Sequence, residues 1–146
     1  MRIVILNGPN LNLLGKREPS IYGTRSMEQV LLDIQRAYPD LYLEYRQSNH
    51  EGDLIDWIQE YGYNPAFSGI VLNAGGYTHT SVALRDAVAC SQLPVVEVHI
   101  SDITKRETFR NISLLTDVCA NSIIGQGTEG YRQAVEWIMT RKKKND

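Results

Sequence analysis

Three groups of residues have types and spacings that could carry chemistry. The first lies in one loop. After an apolar run over residues 2–7, positions 8–23 read Gly-Pro-Asn-Leu-Asn-Leu-Leu-Gly-Lys-Arg-Glu-Pro-Ser-Ile-Tyr-Gly. That is longer than the handful of residues that usually joins a strand to a helix, and such loops often serve as lids or binding loops. Asn10, Asn12 and Arg17 are candidate handles for an anion or a hydroxyl, and Tyr22 is an ionisable phenol. Phenols ionise near pH ~10, which is high for a base at neutrality. A guanidinium a few ångströms away favours the phenolate, so a tyrosine and an arginine in one loop can supply a base.

The second group is histidine and its neighbours. His50, His79 and His99 each follow or end a predicted strand, where they could face a cleft. Glu97 and His99 are two apart in Val95-Val96-Glu97-Val98-His99, so strand alternation puts them on one face. A carboxylate there can fix the histidine tautomer and raise its basicity, giving a general acid. The same pattern also suits a buried histidine satisfied by a neighbour.

The third group is positive and polar. Arg106 and Arg110 are four apart and would share a helical face. With Arg17 they could form a patch for a carboxylated substrate; alternatively they are surface charges paired with Glu107 or Asp102. The stretch Asn73-Ala-Gly-Gly-Tyr-Thr-His-Thr-Ser81 permits a tight turn and then a helix cap at Thr80 or Ser81. The helix start there would favour an anion, although caps occur at most helix starts. Ser101-Asp102 reads the same way, and Asp86 beside Arg85 reads alone as a solvated acid.

The elements that must position these groups alternate. Strands are expected at residues 2–7, 41–47, 69–73, 95–99 and 121–124, and helices at 26–38, 52–61, 81–91 and 128–142, with a short turn at 106–111. In the first helix Met27, Val30, Leu31, Ile34 and Ala37 recur at helical spacing behind Ser26 as cap. The alternation predicts an α/β fold: a flavodoxin-like, doubly wound, five-stranded parallel sheet of order 2-1-3-4-5 with helices on both faces. Ligands in such sheets bind at the carboxyl ends of the strands where the order reverses, here between strands 1 and 3. Asn7, Asn73 and the end of strand 4 become neighbours on that expectation.

Composition bounds the rest. The 146 residues suit one domain over 1–146, with 8–25 as active-site loop and lid. Hydrophobic content is 42%, charged content 22% and net charge -2, which gives no bulk attraction for nucleic acid. The basic run from Arg141 to Lys144 reads as a solvated helix end. No apolar run approaches the ~20 residues of a membrane span, and the N-terminus has no signal-peptide plan. Cys90 and Cys119, in apolar contexts, read as reduced core or near-core residues of a cytoplasmic protein. Asn111-Ile112-Ser113 matches a glycosylation acceptor by chance. Gly125-Gln126-Gly127-Thr128-Glu129-Gly130 fits a dinucleotide fingerprint but lacks the βαβ half and acid that should follow, so a tight turn before a closely packed helix is expected. No metal-binding motif, hydrolase elbow or P-loop is present.

Taken together, the chain resembles type II 3-dehydroquinate dehydratase. The resemblance is carried by Asn7-Gly-Pro-Asn-Leu-Asn-Leu-Leu-Gly15, Arg17-Glu-Pro-Ser-Ile-Tyr-Gly23, Gln47-Ser-Asn-His-Glu-Gly52, Asn73-Ala-Gly-Gly76, Thr78-His-Thr-Ser81, Arg85-Asp86, Val96-Glu-Val-His-Ile-Ser101 and Arg106-Glu-Thr-Phe-Arg110. It implies a lyase that removes water from 3-dehydroquinate to give 3-dehydroshikimate through an enolate, without metal, Schiff base or other cofactor. Placement in the shikimate pathway of aromatic amino acid and chorismate biosynthesis follows from it, as does a homo-oligomer, typically a dodecamer built from trimers. Carried over by motif, Tyr22 resembles the base, Arg17 its activating partner, His99 (with Glu97 behind it) the acid, and Asn10 the holder of a water at the enolate oxygen. Asn73, the Ile100 backbone and Ser101 resemble the carboxylate-binding set. His79, Asp86 and Arg110 resemble the residues that recognise ring hydroxyls, Asp86 from a neighbouring subunit.

Three departures stand out. Asp102 replaces the family's usual Asn and is expected to point away from the site or pair with Arg106. Gln126 stands where a bulky apolar residue is usual, and Thr24-Arg25 varies in the lid. The lid from Arg17 to Gly23 is expected to be mobile, joining base and activator only over substrate.

Two other classes compete with this reading. A non-enzymatic flavodoxin-like binding module would need clustered acids or a Ser/Thr-rich phosphate loop at the strand ends, where the chain has Asn7, Asn73 and Gly-Pro-Asn-Leu-Asn-Leu-Leu-Gly. An inactive relative kept for assembly would not need Tyr22, Arg17 and His99 intact.

Overall fold

The computed structural model describes residues 1–145, with side chains described to residue 141. Five parallel strands run β1 (Arg2–Asn7), β2 (Tyr42–Gln47), β3 (Gly69–Asn73), β4 (Val95–His99) and β5 (Asn121–Ile124). Their order is β2-β1-β3-β4-β5, as the alternation predicts. The helices are a short turn α1 (Pro19–Tyr22), then α2 (Met27–Ala37), α3 (Glu51–Gly62), α4 (Val82–Cys90) and α5 (Glu129–Asn145). The side chains of Lys142, Lys143 and Lys144, read above as part of a solvated end, lie outside the described residues.

Alternation along the strands builds two cores. Ile3, Ile5, Val71, Val96 and Val98 pack under Val30, Ile34, Tyr131, Val135 and Ile138 of α2 and α5. Val4, Leu6, Ile70 and Leu72 pack on the other face under Leu54, Ile58, Leu84 and Val88 of α3 and α4. Strands covered on both faces are apolar throughout, hence the continuous runs in β1 and β3. Burying this apolar area is the main drive for the fold.

Local signals set the boundaries. Ser26 and Gln29 form a reciprocal cap at the start of α2: the Gln29 amide donates to Ser26 Oγ, and the Ser26 amide to Gln29 Oε1. The second strand starts at Tyr42, one residue later than expected, because Leu41 still closes a turn onto Tyr38 and the Tyr42 amide is the first to donate to Met1. Gly130 packs against Val98 and Ile123, where a Cβ would lie 3.3 Å from the Val98 side chain. The glycine-rich stretch is thus a turn before a closely packed helix, as expected.

The link from β4 to β5 has no α-helix. It consists of 3-10 turns at Ile103–Lys105 and Thr108–Arg110 followed by irregular chain. Leu115 is fully buried there and joins the α3/α4 core. Arg106 lies between the two turns in extended conformation, so it does not share a helical face with Arg110 as the spacing suggested.

Candidate active site

At the carboxyl ends of β1, β3 and β4 a cleft of about 160 Å³ opens where the strand order reverses. Its walls hold Asn10, Arg17, Tyr22, Asn73, His79, His99, Ile100, Ser101, Arg106 and Arg110. Nine of the eleven residues expected to form a site therefore meet in one place. The other two are Glu97, which lies behind His99, and Asp86, which is exposed on α4 outside this cleft. Asn12 and His50 are also exposed and do not line it.

The first half of the long loop is a fixed wall. Gly8 approaches the next loop so closely that a Cβ would sit 2.4 Å from the Ala74 carbonyl oxygen. Asn10 adopts a left-handed conformation (φ 69°) and donates its amide to Asn49 Oδ1 at 3.0 Å. Asn49 in turn accepts from Gln47 Nε2, and its carbonyl from Tyr77 Oη.

The second half carries the phenol. After Glu18, also left-handed, α1 places Tyr22 over the cleft. Arg17 stacks on the Tyr22 ring, its guanidinium carbon 4.5 Å from the ring centre. The group that reaches the phenol oxygen is Arg106, whose Nη1 donates to Tyr22 Oη at 2.7 Å. The arginine at the oxygen therefore comes from the β4–β5 link, and the loop's own arginine lies on the ring face. Arg106 stood in the sequence as one member of a positive patch; nothing local tied it to Tyr22.

The histidine pair stands at the end of β4. Glu97 is fully buried and His99 is 5% exposed. His99 Nε2 lies 2.7 Å from Glu97 Oε2, so the expected pairing on one strand face is present. A carboxylate can only accept, so Nε2–H donates and Nδ1 is the ring's other nitrogen. Burial alone would raise the Glu97 carboxyl. Hydrogen bonds from His99, Ser113 and Thr116, with attraction to His99, outweigh it and hold the group down at about 2.

His79 has a complementary arrangement. Its Nδ1 lies 2.7 Å from the Ile112 carbonyl oxygen, which fixes Nδ1–H as donor. Burial pushes the ring below the usual histidine range against the opposing effect of that hydrogen bond, and the positive charges of His99, Arg110 and Arg106 add to it. A neutral ring with Nδ1–H presents Nε2 as an acceptor.

Behind Asn73 a polar chain runs into the interior. Asn73 Nδ2 donates to Tyr131 Oη at 2.9 Å, and Tyr131 Oη donates to Asn7 Oδ1 at 2.8 Å. Asn73 Oδ1 accepts from the Gly75 amide at 3.1 Å. The amide orientation is thereby fixed, with one Nδ2 hydrogen committed to Tyr131.

Three further expectations resolve here. Asp102 points away from the cleft: it caps the turn at Ile103–Lys105 by accepting from the Thr104 amide at 3.0 Å and lies 3.8 Å from Lys105, not against Arg106. Arg110 does pair with Glu107, at 2.9 Å, while lining the cleft. Cys90 is exposed, unlike the core or near-core position expected for it, whereas Cys119 is half-buried, a near-core place; burial, with Glu97 and Asp117 nearby, pushes its thiol up to about 12. Among the described residues no group of three or more His, Cys, Asp or Glu side chains is placed to hold a metal ion, and no helix is long and apolar enough to cross a membrane.

Known proteins are similar to this chain over nearly its whole length. The family model described as dehydroquinase class II matches residues 1–139. A 3-dehydroquinate dehydratase of Halothermothrix orenii is 52% identical over 98% of this chain and 97% of its own length. The crystal structure of a type II dehydroquinase from Butyrivibrio crossotus superposes with a TM-score of 0.89 at 46% identity, covering 95% of this chain and 97% of that one. That of a type II dehydroquinase from Propionibacterium acnes gives 0.88 at 35% identity over 95% and 96%.

Proposed function

The chain belongs to the dehydroquinase class II family, and we propose that it removes water from 3-dehydroquinate by a base–acid mechanism run by Tyr22 and His99. The observation that carries this reading is the cleft itself. It holds a phenol oxygen in a guanidinium hydrogen bond and a histidine braced by a carboxylate, together with cationic and amide groups suited to a carboxylate.

The Tyr22 phenolate takes the proton alpha to the ketone. Arg106 at its oxygen and Arg17 on its ring hold the negative charge before transfer. The resulting enolate is stabilised by a water held on Asn10. Protonated His99 then gives its proton to the departing hydroxyl, which leaves as water with the electron pair of the broken C–O bond. Asn73, the Ile100 backbone and Ser101 hold the substrate carboxylate. His79 and Arg110 address the ring hydroxyls, His79 through its Nε2 acceptor. Asp86, off this cleft and exposed, serves the cleft of a neighbouring copy in a dodecamer of trimers. The reaction belongs to aromatic biosynthesis by the shikimate pathway in the cytoplasm.

Incubating the protein with 3-dehydroquinate should produce the ultraviolet absorbance of a conjugated enone acid. Folded oligomer without that signal would overturn the assignment. Tyr22→Phe should bind substrate and lose nearly all turnover; substantial remaining kcat would remove Tyr22 as the base.

A further inference from the structure

The Glu97 carboxylate has more hydrogen bonds than bracing one histidine requires. Oε2 accepts from His99 Nε2 at 2.7 Å, from Thr78 Oγ1 at 3.1 Å and from Ser113 Oγ. Oε1 accepts from Thr116 Oγ1 at 2.6 Å and from Ser122 Oγ at 2.7 Å. Ser122 lies directly across the β4–β5 ladder from Glu97, and Thr116 comes from the link before β5. Among the described residues the ion-pair partner of Glu97 is His99.

This arrangement matters when His99 loses its proton. A fully buried carboxylate beside a neutral imidazole would escape its environment by taking a proton. Hydroxyls donating to the charged oxygens oppose that, because hydrogen bonds to an ionised acceptor are the strong ones. The two donors on Oε1 match its two lone pairs in number. A proton could settle there only if Thr116 or Ser122 turned its hydroxyl away.

We propose that Thr116 and Ser122 are positioning residues that keep Glu97 ionised while His99 gives up its proton, so that the acid delivered to the leaving group is His99 alone and not a proton shared by the pair. The inference rests on the reading of His99 as the acid. In the expulsion step the C–O electron pair goes to oxygen, the His99 proton joins it, and water leaves. His99 ends neutral with Nε2–H still donating to Glu97. The proton that Tyr22 took from carbon returns to His99 through solvent before the next turnover. Without the two hydroxyls the state holding neutral His99 and ionised Glu97 is less well supported, and the pair becomes a weaker acid. Of the other titratable or charged groups, Cys119 faces Glu97, with Asp117 in turn acting on Cys119, and His79 faces His99 in a cleft whose walls also hold Arg106 and Arg110. The substitutions below alter none of them.

The test compares the full-length enzyme with its Thr116→Val, Ser122→Ala double variant. We expect kcat to fall about tenfold, with the basic limb of its pH profile moving to higher pH. KM should stay within about twofold. Thr116→Ser, which retains the hydroxyl, should restore the wild-type profile. An unchanged kcat and profile in the double variant would overturn the proposal. Should that variant not fold, Thr116→Val alone, at a surface position, carries the same expectation in kcat and profile. Isotope-edited infrared spectroscopy of the wild type is a second readout: a protonated Glu97 band between about pH 5 and 9, the range in which histidine titrates, would overturn it. His99→Asn separates the two claims. Full kcat in that variant defeats the reading of His99 as acid. Loss of activity there, with the double variant unchanged, defeats the role of the hydroxyls alone.

Discussion

Arg106 donates to the Tyr22 phenol oxygen across 84 residues of chain, joining the loop after β1 to the link after β4. The Arg17 guanidinium lies on the ring face of the same tyrosine. The two arginines therefore do different work, one at the oxygen where charge resides and one on the ring. Arg106→Met should lower kcat/KM by about 100-fold, the scale for losing a donor to a reacting oxygen. Steady-state kinetics within threefold of wild type would show that the contact is incidental.

The carboxylate of Glu97 links catalysis to acid stability. Its folded-state value of about 2 lies below the ordinary 4.5. The stability it contributes is fully present above that ordinary value and is lost as pH falls from 4.5 toward about 2. The expected contribution is of the order of 3 kcal/mol. Urea unfolding of Glu97→Gln should show a flatter stability profile across that window. Parallel profiles for wild type and variant would assign the acid transition to other groups.

Tyr131 is fully buried with its hydroxyl between Asn7 and Asn73. Tyr131→Phe leaves Asn7 Oδ1 and one hydrogen of Asn73 Nδ2 without that partner, which should cost about 1–3 kcal/mol. Because Asn73 lines the cleft, KM should rise more than kcat falls. Equal changes in both would mean that the polar chain supports the fold but does not orient Asn73.

Gly8 sits where two strand-end loops touch backbone to backbone. Gly8→Ala would place a methyl group 2.4 Å from the Ala74 carbonyl oxygen, which no side-chain rotation can relieve. A loss of about 1–3 kcal/mol in unfolding free energy is expected, together with reduced activity, since Asn10 and Gly75 on these two loops line the cleft. A stable, fully active variant would show that the wall is less rigid than the contact implies.

The strands were legible because doubly covered parallel strands are apolar throughout, as Ile3 to Leu6 and Ile70 to Leu72 show. The Glu97–His99 pair was legible because a separation of two residues on a strand leaves one geometric outcome. The Tyr22–Arg106 contact was not, since Tyr22 ends a single helical turn inside a long loop and Arg106 lies in extended chain between two turns, where spacing carries no direction. Nor were the hydroxyls around Glu97, which converge from three separate segments; only Ser122 could have been reached, through the β4–β5 register. Cys90 was misplaced by its apolar neighbours. The buried face of α4 runs through Leu84, Ala87 and Val88, and residue 90 falls off it.

The missing helix between β4 and β5 has an evolutionary consequence. Connecting segments ordinarily absorb insertions and deletions with little effect. This one is tied at Arg106, Ser113, Leu115 and Thr116 to the phenol, the carboxylate and the core. It is tied again where the Leu114 amide donates to the Thr78 carbonyl and the Ala120 amide to that of Val95. A single added or deleted residue would shift one anchor relative to the next. Length variation in homologous chains should therefore collect elsewhere, and this irregular stretch should be as constant in length as a strand.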